Sequence, residues 1–270
     1  MTRLARSNAS LDFASERVRR FSFKFVTSYY LDWKRLCYTV QEELRGGKPV
    51  MIQWLKKVSL FDNLNDEQLD NIVRIAHRRT FPAGTVLFQE KDLGLTFYVV
   101  LSGSIKLFTR SQAGEEKVLS VVNAGESFGE LSLLDGRPRS ASAQTLEPTS
   151  VLELSSQAFM DLLQTHFDIT RGILSELCRR LRQTNEQVND LTFLDGRTRV
   201  LKNLITMAGR NGKRDGQIIS MHMALNYDEL AQLAGVSKAV LSDVLRELEN
   251  RGVLQFGINE YRLNLAKLRG

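Results

Sequence analysis

The sequence predicts an α+β fold with a β-sandwich, one long helix and a small C-terminal domain of helices and a β-hairpin. Three observations carry this prediction. Short apolar runs separated by glycines fill residues 80–154, a heptad pattern runs over 174–191, and two helical patterns and a hairpin pattern follow residue 226. Closely spaced runs with glycine turns are typical of sandwiches and jelly rolls, and a heptad is typical of a helix that pairs with another helix.

Composition places the chain among ordinary globular proteins. Its 270 residues are 43% hydrophobic and 25% charged, and the length allows one to two domains. No apolar run approaches the ~18 residues of a membrane span, and no secretory signal pattern is visible. Cys37 and Cys178 are the only cysteines and lie far apart, which does not fit a four-cysteine iron–sulfur site or a zinc knuckle. We therefore expect reduced thiols, a cytoplasmic location, no metal and no membrane association.

The net charge of +6 lies mostly in residues 1–50, which hold ten Lys/Arg and five Asp/Glu, whereas residues 51–270 hold 27 and 26. Global charge therefore gives residues 51–270 no general affinity for an anionic partner, and any such binding would need a local basic face. Residues 1–50 show no clean helical or strand period. An arm that binds nucleic acid or a membrane surface is one reading, but the poor patterning favours a disordered extension or a misassigned start before Met51.

The first ordered region is expected to begin with short helices over residues 51–79, one of them capped by Asn65. From Thr80 the apolar period becomes two. Strands are then predicted at residues 86–88, 97–101, 105–108, 118–122 and 151–154. Glycines fall between or at the edges of these runs, so the strands are expected to fold back on one another as a sandwich.

The stretch FGELSLLDGRPRSASA groups side chains that suit a sugar phosphate. Gly129 lets backbone N–H groups approach a ligand closely, and Glu130 can accept hydrogen bonds from a vicinal diol. Arg139 offers a planar fork of donors to phosphate oxygens, and Ser140 adds a hydroxyl beside it. Leu131 opens a short helical turn whose free N–H groups favour an anion. On spacing alone, a glycine turn with a surface Glu–Arg pair is the alternative.

A helical pattern returns over residues 155–195. Its apolar seam steps by three and four through Leu174, Leu177, Leu181, Thr184, Val188 and Leu191. The seam predicts pairing with a copy of the same helix, and burial against the chain's own β-domain is the alternative. Asp195 and Gly196 break the helix, and Thr198 can start the next one.

The C-terminal region contains a helix–turn–helix pattern. Asn226 and Glu229 fit a capping box, Gly235 supplies a turn, and Ser237 can cap a second helix. Residues 251–263 then predict a β-hairpin. This order is typical of a winged helix-turn-helix, whose second helix enters the DNA major groove. An αα-hairpin used only for packing is the alternative.

Three of these segments resemble, in the same order, the cyclic AMP receptor protein (Crp/Fnr) family of transcription regulators. They are the FGELSLLDGRPRSASA stretch, the heptad helix and the helix–turn–helix. The resemblance implies a cyclic-nucleotide-binding jelly roll over residues 51–165, a dimerisation helix over 166–195 and a winged helix-turn-helix over 196–270. It also implies a homodimer that binds DNA and is gated by a cyclic nucleotide, foremost cyclic AMP. RNA polymerase is a further implied partner.

The resemblance assigns ligand contacts residue by residue. The family's phosphate-binding cassette corresponds to a segment that includes Gly129, Glu130, Leu131, Arg139 and Ser140. The segment LRQTNE is similar to the part of the dimer helix that reaches the adenine ring. Thr184 would meet the base in its own subunit, and Asn185, where many members have Ser, would reach the nucleotide of the other subunit. Ser140 can donate to phosphate or to a guanine base, so cyclic GMP remains open as the ligand.

The predicted DNA-reading helix departs from the family pattern. Members often carry Arg-Glu after the capping Ser and an Arg one turn later, whereas this chain has Lys238, Ala239 and Asp243. Each lost bidentate contact removes about 1–3 kcal/mol of base discrimination. The residues expected to contact DNA are Ser237, Lys238, Ser242, Asp243, Arg197, Arg199 and Arg246, with Lys202 as a further phosphate contact.

Two functions follow from these patterns. The first is a dimeric, cyclic-nucleotide-responsive DNA-binding transcription regulator. The second is a cyclic-nucleotide-binding dimer that acts through protein partners because its DNA reader is degenerate. An enzyme is not expected, since the sequence shows no nucleophile–base pair, metal-ligand spacing or phosphate-loop motif.

Overall fold

A computed structural model describes residues 48–257 and 260–268. The predictions for residues 1–47 lie outside the described residues. The chain divides into two units, Met1–Met51 and Ile52–Gly270, and the sandwich, the long helix and the C-terminal domain all belong to the second.

The elements follow one another in the predicted order of classes. The helices are α1 (Lys48–Leu55), α2 (Asp66–Ile75), α3 (Leu131–Asp135), α4 (Ser156–Thr165), α5 (Phe167–Phe193), α6 (Gly196–Asn211), α7 (Tyr227–Ala234), α8 (Lys238–Asn250) and α9 (Leu265–Leu268), with a 3₁₀ turn at Ser59–Phe61. The strands are β1 (His77–Phe81), β2 (Val86–Phe88), β3 (Thr96–Ser102), β4 (Ser104–Arg110), β5 (Glu116–Asn123), β6 (Ser127–Phe128), β7 (Ser142–Thr145), β8 (Thr149–Ser155), β9 (Lys213–Asp215), β10 (Ile218–His222), β11 (Leu254–Phe256) and β12 (Glu260–Asn264).

Strands β1 to β8 form the predicted sandwich. One antiparallel sheet has the order β1-β8-β3-β6 and the other β2-β7-β4-β5. Alternate side chains of each strand point to opposite faces of a sheet, and the inward set buries a common core. That core includes Tyr98, Val100, Ile105, Val122, Phe128, Ala143 and Val151. The α+β fold class and its β-sandwich are confirmed.

Two boundaries differ from the sequence prediction. Strand β1 begins at His77, three residues before the predicted change of period, because His77 pairs with Glu153 of β8. Residues 213–215 lie in the polar stretch RNGKRDG, whose composition predicts a turn, but they form β9 by pairing with β10. In both places an adjacent strand supplies ladder hydrogen bonds, which the local apolar period does not reveal.

The long helix α5 spans 27 residues. Its first turns are anchored, since Ile169 and Ile173 are buried and Gly172 allows close approach to Leu60 of the 3₁₀ turn. Farther along, four seam residues are 52–63% exposed in the single chain: Leu174, Leu181, Val188 and Leu191. This part of the seam is not buried against the β-domain of its own chain.

The C-terminal domain packs α6, α7 and α8 against the small sheet β11-β12-β10-β9. Asn226 and Glu229 form the predicted capping box, and Gly235 turns the chain with φ of 64°. The Ser237 hydroxyl accepts from the Val240 N–H and caps α8, as predicted. These local contacts place the second helix of the motif directly after the turn.

The junction between α5 and α6 differs in detail from the prediction. Asp195 rather than Thr198 starts the helix, because the Asp195 carboxylate accepts from the Thr198 N–H at 2.7 Å. Helix α6 therefore begins at Gly196. Hydrogen bonds from Thr198 also lower the pKa of Asp195.

Candidate ligand-binding site

The FGELSLLDGRPRSASA stretch forms a wall of the sandwich. Strand β6 ends at Phe128, Gly129 adopts φ of 87°, and Glu130 precedes helix α3. A Cβ at position 129 would lie 2.8 Å from Arg139 Nη1 and 3.1 Å from the Thr96 carbonyl oxygen. Glycine is therefore required here both by the backbone angle and by the close approach of Arg139.

Arg139 is buried, with 5% of its surface exposed. Its Nη1 donates to the Gly129 carbonyl at 2.7 Å and to the Ser132 hydroxyl at 2.9 Å, and its Nη2 donates to the Thr96 carbonyl at 2.6 Å. Its guanidinium carbon lies 4.1 Å from the centre of the Phe88 ring. Burial lowers the pKa of Arg139, yet an arginine remains charged at physiological pH. The Nε atom is buried and has no hydrogen-bond partner among the described residues.

Glu130 is also buried, with 3% of its surface exposed. Its Oε1 accepts from Nη1 of Arg180 on α5 at 2.9 Å. Arg180 is held in turn by Glu176 at 2.8 Å and by the carbonyl of Ser127. The other carboxylate oxygen of Glu130 is buried and finds no partner in the described part of the chain.

These groups line one small cleft between the cassette, β4 and α5. Its walls include Phe88, Leu107, Glu130, Arg139, Ser140 and Arg180. Buried polar atoms in native proteins are almost always hydrogen-bonded, so an orphaned acceptor on Glu130 and an orphaned donor on Arg139 indicate a ligand that supplies both. A hydroxyl donor together with an anionic acceptor has that chemistry.

The structure brings together some of the sequence-predicted ligand residues and not others. Five of them line the cleft: Gly129, Glu130, Leu131, Arg139 and Ser140. Thr184 and Asn185 do not line it and are exposed on α5. The Thr184 hydroxyl donates to the carbonyl of Arg180 at 3.0 Å. Their contact with a nucleotide remains a prediction.

Sequence reasoning missed Arg180, Ser132 and Phe88. A signal existed for Arg180, because it precedes Thr184 by four residues and such residues share a helix face. Ser132 lies inside the recognised stretch, but its bond to Arg139 depends on the turn of α3. Phe88 comes from another strand, and its contact with Arg139 has no local sequence signal.

The predicted DNA-contacting residues of α8 lie mostly on an exposed face. Lys238 pairs with Asp228 at 2.7 Å, and Arg246 lies 4.0 Å from Asp243. All four side chains are more than half exposed. Ser242 is half-buried on the same helix.

The other predicted contacts lie at the start of α6. Arg197 is exposed and pairs with Glu247, and Lys202 pairs with Asp190 at 2.6 Å. Arg199 donates to the carbonyls of Leu194, Ala234 and Gly235. This arrangement favours Arg199 as a link between the α5–α6 junction and the turn of the motif, and its contact with DNA remains a prediction.

Within residues 48–257 and 260–268, no cluster of three or more His, Cys, Asp or Glu residues could hold a metal ion. The same ranges contain no helix that is long and apolar enough to cross a membrane.

A sandwich that carries a polar ligand cleft, followed by a long helix and a winged helix-turn-helix, is the architecture of a ligand-responsive transcription regulator. The family model for the cyclic nucleotide-binding domain matches residues 78–166. The Cyclic AMP receptor protein of Thermus thermophilus is 34% identical over 79% of this chain and 96% of its own length. The CRP-like cAMP-activated global transcriptional regulator of Mycobacterium tuberculosis is 30% identical over 75% and 90%. The chain therefore belongs to the cyclic AMP receptor protein (Crp/Fnr) family of transcription regulators, and it is a regulator rather than an enzyme.

Solved structures agree with this assignment. The c-di-GMP responsive global regulator CLP of Xanthomonas campestris matches with a TM-score of 0.62 and 26% identity, over 74% of this chain and 99% of CLP. FixK2 of Bradyrhizobium japonicum matches with a TM-score of 0.65 over 72% of this chain and 96% of its own. At 18% identity, FixK2 supports the fold alone.

Proposed function

We propose that this regulator is a cytoplasmic homodimer that binds cyclic AMP and, in response, DNA. The observation that carries the proposal is a pair of orphaned buried atoms, Glu130 Oε2 and Arg139 Nε, in two residues that line one cleft. The ribose 2′-hydroxyl of cyclic AMP supplies the donor for Glu130, and its cyclic phosphate supplies the acceptor for Arg139. Phe88 and Leu107 provide apolar walls for the rest of the nucleotide.

The count of charged groups favours a mononucleotide over cyclic di-GMP. One cyclic phosphate needs one cation, and Arg139 is that cation. The second phosphate of cyclic di-GMP would need another, but Arg180 already pairs with Glu130 and Glu176. Two relatives at 34% and 30% identity bear cyclic AMP in their names, whereas the c-di-GMP responsive CLP is 26% identical.

The exposed seam of α5 supports the dimer. Leucine and valine side chains that are half or more exposed along one helix face are stabilised when a second copy covers them. Pairing would also bring the exposed Thr184 and Asn185 of each protomer to the dimer helix pair, where they complete the adenine end of the site. Ligand binding and dimerisation would then share one surface, and RNA polymerase is a further partner of the DNA-bound dimer.

Calorimetry with cyclic AMP, cyclic GMP and cyclic di-GMP, together with mobility shift of genomic fragments at stated salt, tests the proposal. We expect tightest binding of cyclic AMP and retention of specific fragments only with that nucleotide. A ligand gates DNA binding only if it binds the DNA-competent state more tightly. Equal DNA binding with and without cyclic AMP would contradict the gating.

The ion pairs of the reader favour one competing function. Lys238 is paired with Asp228, and Arg197 with Glu247, which leaves fewer unpaired cations for phosphate. A dimer that acts through protein partners is therefore the second candidate. Failure of every genomic fragment to bind specifically, with cyclic AMP bound tightly, would favour it.

A further inference from the structure

Strand β4 lies between the ligand cleft and the C-terminal winged domain. We call the sandwich domain of residues 51–165 the sensor and the winged domain of residues 196–270 the reader. Leu107 faces the cleft, whereas Lys106 points to the opposite face of the sheet, as neighbours on a strand do. There Lys106 Nζ lies 2.7 Å from Glu229 Oε1 of α7, and the two side chains are only 6% and 10% exposed. The sensor sheet thus makes a buried ion pair with the first helix of the helix-turn-helix.

Both partners are fixed by other contacts. Glu229 uses its second oxygen to accept from the Asn226 N–H in the capping box, so turning the carboxylate away would also break that bond of the box. Lys106 also lies 3.5 Å from Glu116 of β5 and 5.0 Å from the Phe108 ring centre. A buried charge that loses its partner is strongly disfavoured, so this contact resists opening.

A second lysine holds the other end of α7. Lys117 of β5 donates to the carbonyls of Gln232 at 2.5 Å and Leu233 at 3.3 Å. A cation at a helix C-terminus is favoured by the exposed carbonyls and the helix dipole. Burial, together with the charge of Arg199, lowers the pKa of Lys117. Strands β4 and β5 therefore hold α7 near both ends.

The side of the reader that is held is not the side predicted to contact DNA. On α8, Lys238, Ala239, Asp243 and Arg246 are exposed, while Glu229 of α7 is covered. The contact therefore fixes the orientation of the reader and leaves the face of the second helix open.

We propose that Lys106 and Glu229, which we call the latch, hold the reader in its DNA-binding orientation, and that Lys106 is a positioning residue for DNA recognition. The proposal rests on the proposed function, because it requires that the protein bind DNA. It adds a contact between the sandwich and the reader that lies outside the ligand cleft, because Lys106 and the cleft residue Leu107 are on opposite faces of β4.

The test uses the full chain with Lys106→Met, which keeps an apolar stem and removes the charge. DNA affinity is measured by fluorescence anisotropy, in saturating cyclic AMP, with a duplex that the unaltered protein selects from a random-sequence pool. We expect DNA affinity to fall about tenfold or more, which lies within the usual range of coupling between sites. Cyclic AMP affinity, measured by calorimetry, should stay within about twofold, as for an independent site.

Matched variants separate positioning from general destabilisation. Lys56→Met removes an exposed sensor lysine that pairs with Asp66 and should leave DNA affinity unchanged. Lys106→Arg keeps the charge and should retain most of the DNA affinity. Glu229→Gln keeps an oxygen that can accept from the Asn226 N–H. The double variant with Lys106→Met should lose no more DNA affinity than the more affected single variant, because both substitutions remove the same contact.

Three outcomes would overturn the latch. The first is unchanged DNA affinity of folded Lys106→Met with intact cyclic AMP binding, and the second is tighter DNA binding, which would make the contact inhibitory. The third applies if Lys106→Met does not fold: Glu229→Gln, which removes the other charge of the same pair, should then lower DNA affinity about fivefold or more, and no loss in that folded variant overturns the proposal. If the unaltered protein selects no duplex, the proposed function fails and the latch fails with it, a result distinct from failure of the latch alone.

Discussion

In the sandwich, Glu130 and Arg139 are buried beside the ligand cleft, whereas in the winged domain Lys238 and Arg246 are exposed and lie near acidic residues of their own domain. The buried pair is positioned by hydrogen bonds to the backbone, to Ser132 and to Arg180, so its geometry is set before a ligand arrives. The exposed cations can exchange a weak internal partner for a phosphate, because exposed ion pairs contribute only about 0–1 kcal/mol. Under the proposed function, ligand binding would use preorganised charges and DNA binding would use exchangeable ones, and substitutions in the two regions test that contrast.

The largest effect is expected for Arg139→Ala. It removes charge-assisted hydrogen bonds worth about 1.5–3 kcal/mol each, so cyclic AMP affinity should fall about a hundredfold or more in calorimetry. Arg137→Ala, in the same loop but exposed, is the control and should bind normally. Full cyclic AMP affinity in a folded Arg139→Ala protein would remove Arg139 from the site.

A comparably large effect, on stability as well as on nucleotide binding, is expected for Gly129→Ala. Positive φ alone costs an L-residue about 1–2 kcal/mol, and the new Cβ would also lie 2.8 Å from Arg139 Nη1. We expect the free energy of unfolding to fall by about 2–4 kcal/mol, with weaker nucleotide binding, as measured by urea denaturation and calorimetry.

Gly136→Ala provides the matched comparison for this substitution. Gly136 has φ of 69°, and a Cβ added to it would meet no atom within 4 Å, so only the backbone strain of about 1–2 kcal/mol applies. Equal destabilisation by the two substitutions would show that the close approach of Arg139 to Gly129 has no energetic weight.

Substitutions in the reader should change DNA binding while leaving the fold intact. Lys238→Ala should weaken DNA binding about tenfold and reduce the salt slope of log K by about one if it contacts phosphate. Asp243→Asn should instead tighten binding about threefold, because it removes a negative charge near the phosphates. Both variants should keep the free energy of unfolding within about 0.5 kcal/mol, as exposed sites do.

Anisotropy titrations over a salt series and thermal unfolding of the same samples measure these effects. A large loss of stability in either variant would mean that the exposed charges are structural, contrary to the comparison. Unchanged DNA affinity in both would place the contact surface elsewhere on the domain.

The comparison also shows which features the sequence could predict. The cassette residues Glu130 and Arg139 are close in sequence, and caps such as Asn226 and Ser237 bond within three residues, so local patterns identified them. The exposed seam of α5 followed from the heptad. The fold class needed only these patterns and the spacing of the strands.

What the sequence could not predict depends on contacts between distant segments. Arg180 reaches Glu130 from a helix fifty positions away, and Lys106 meets Glu229 across 123 positions. Arg199 likewise donates to three backbone carbonyls only because the turn of the helix–turn–helix packs beside α6. Such pairings are set by how elements pack. The four-residue spacing from Thr184 can place Arg180 on a helix face, but no residue pattern along the chain identifies Glu130 as its partner.

The smallest predicted effect concerns Glu176, which holds Arg180, the α5 residue that contacts Glu130. It accepts from Arg179 at 2.6 Å and from Arg180 at 2.8 Å. Burial acts to raise the pKa of Glu176, but hydrogen bonds and charges from the two arginines outweigh it and lower that pKa below 4.5. Because the folded-state pKa is lowered, the stabilisation is present above about pH 4.5 and is lost as the pH falls through the folded-state value.

Glu176→Gln should therefore lower the free energy of unfolding by about 0.5–1 kcal/mol at neutral pH, and the difference from the unaltered protein should vanish in acid. Urea denaturation across the acid range measures it, with Glu186→Gln, exposed on the same helix, as the control. A difference that does not change with pH would mean that Glu176 acts through packing rather than charge. If Glu176→Gln lowered the free energy of unfolding by more than Gly136→Ala does, Glu176 would belong with the preorganised charges. Its bond to Arg180 would then be a main support of the contact between Arg180 and Glu130.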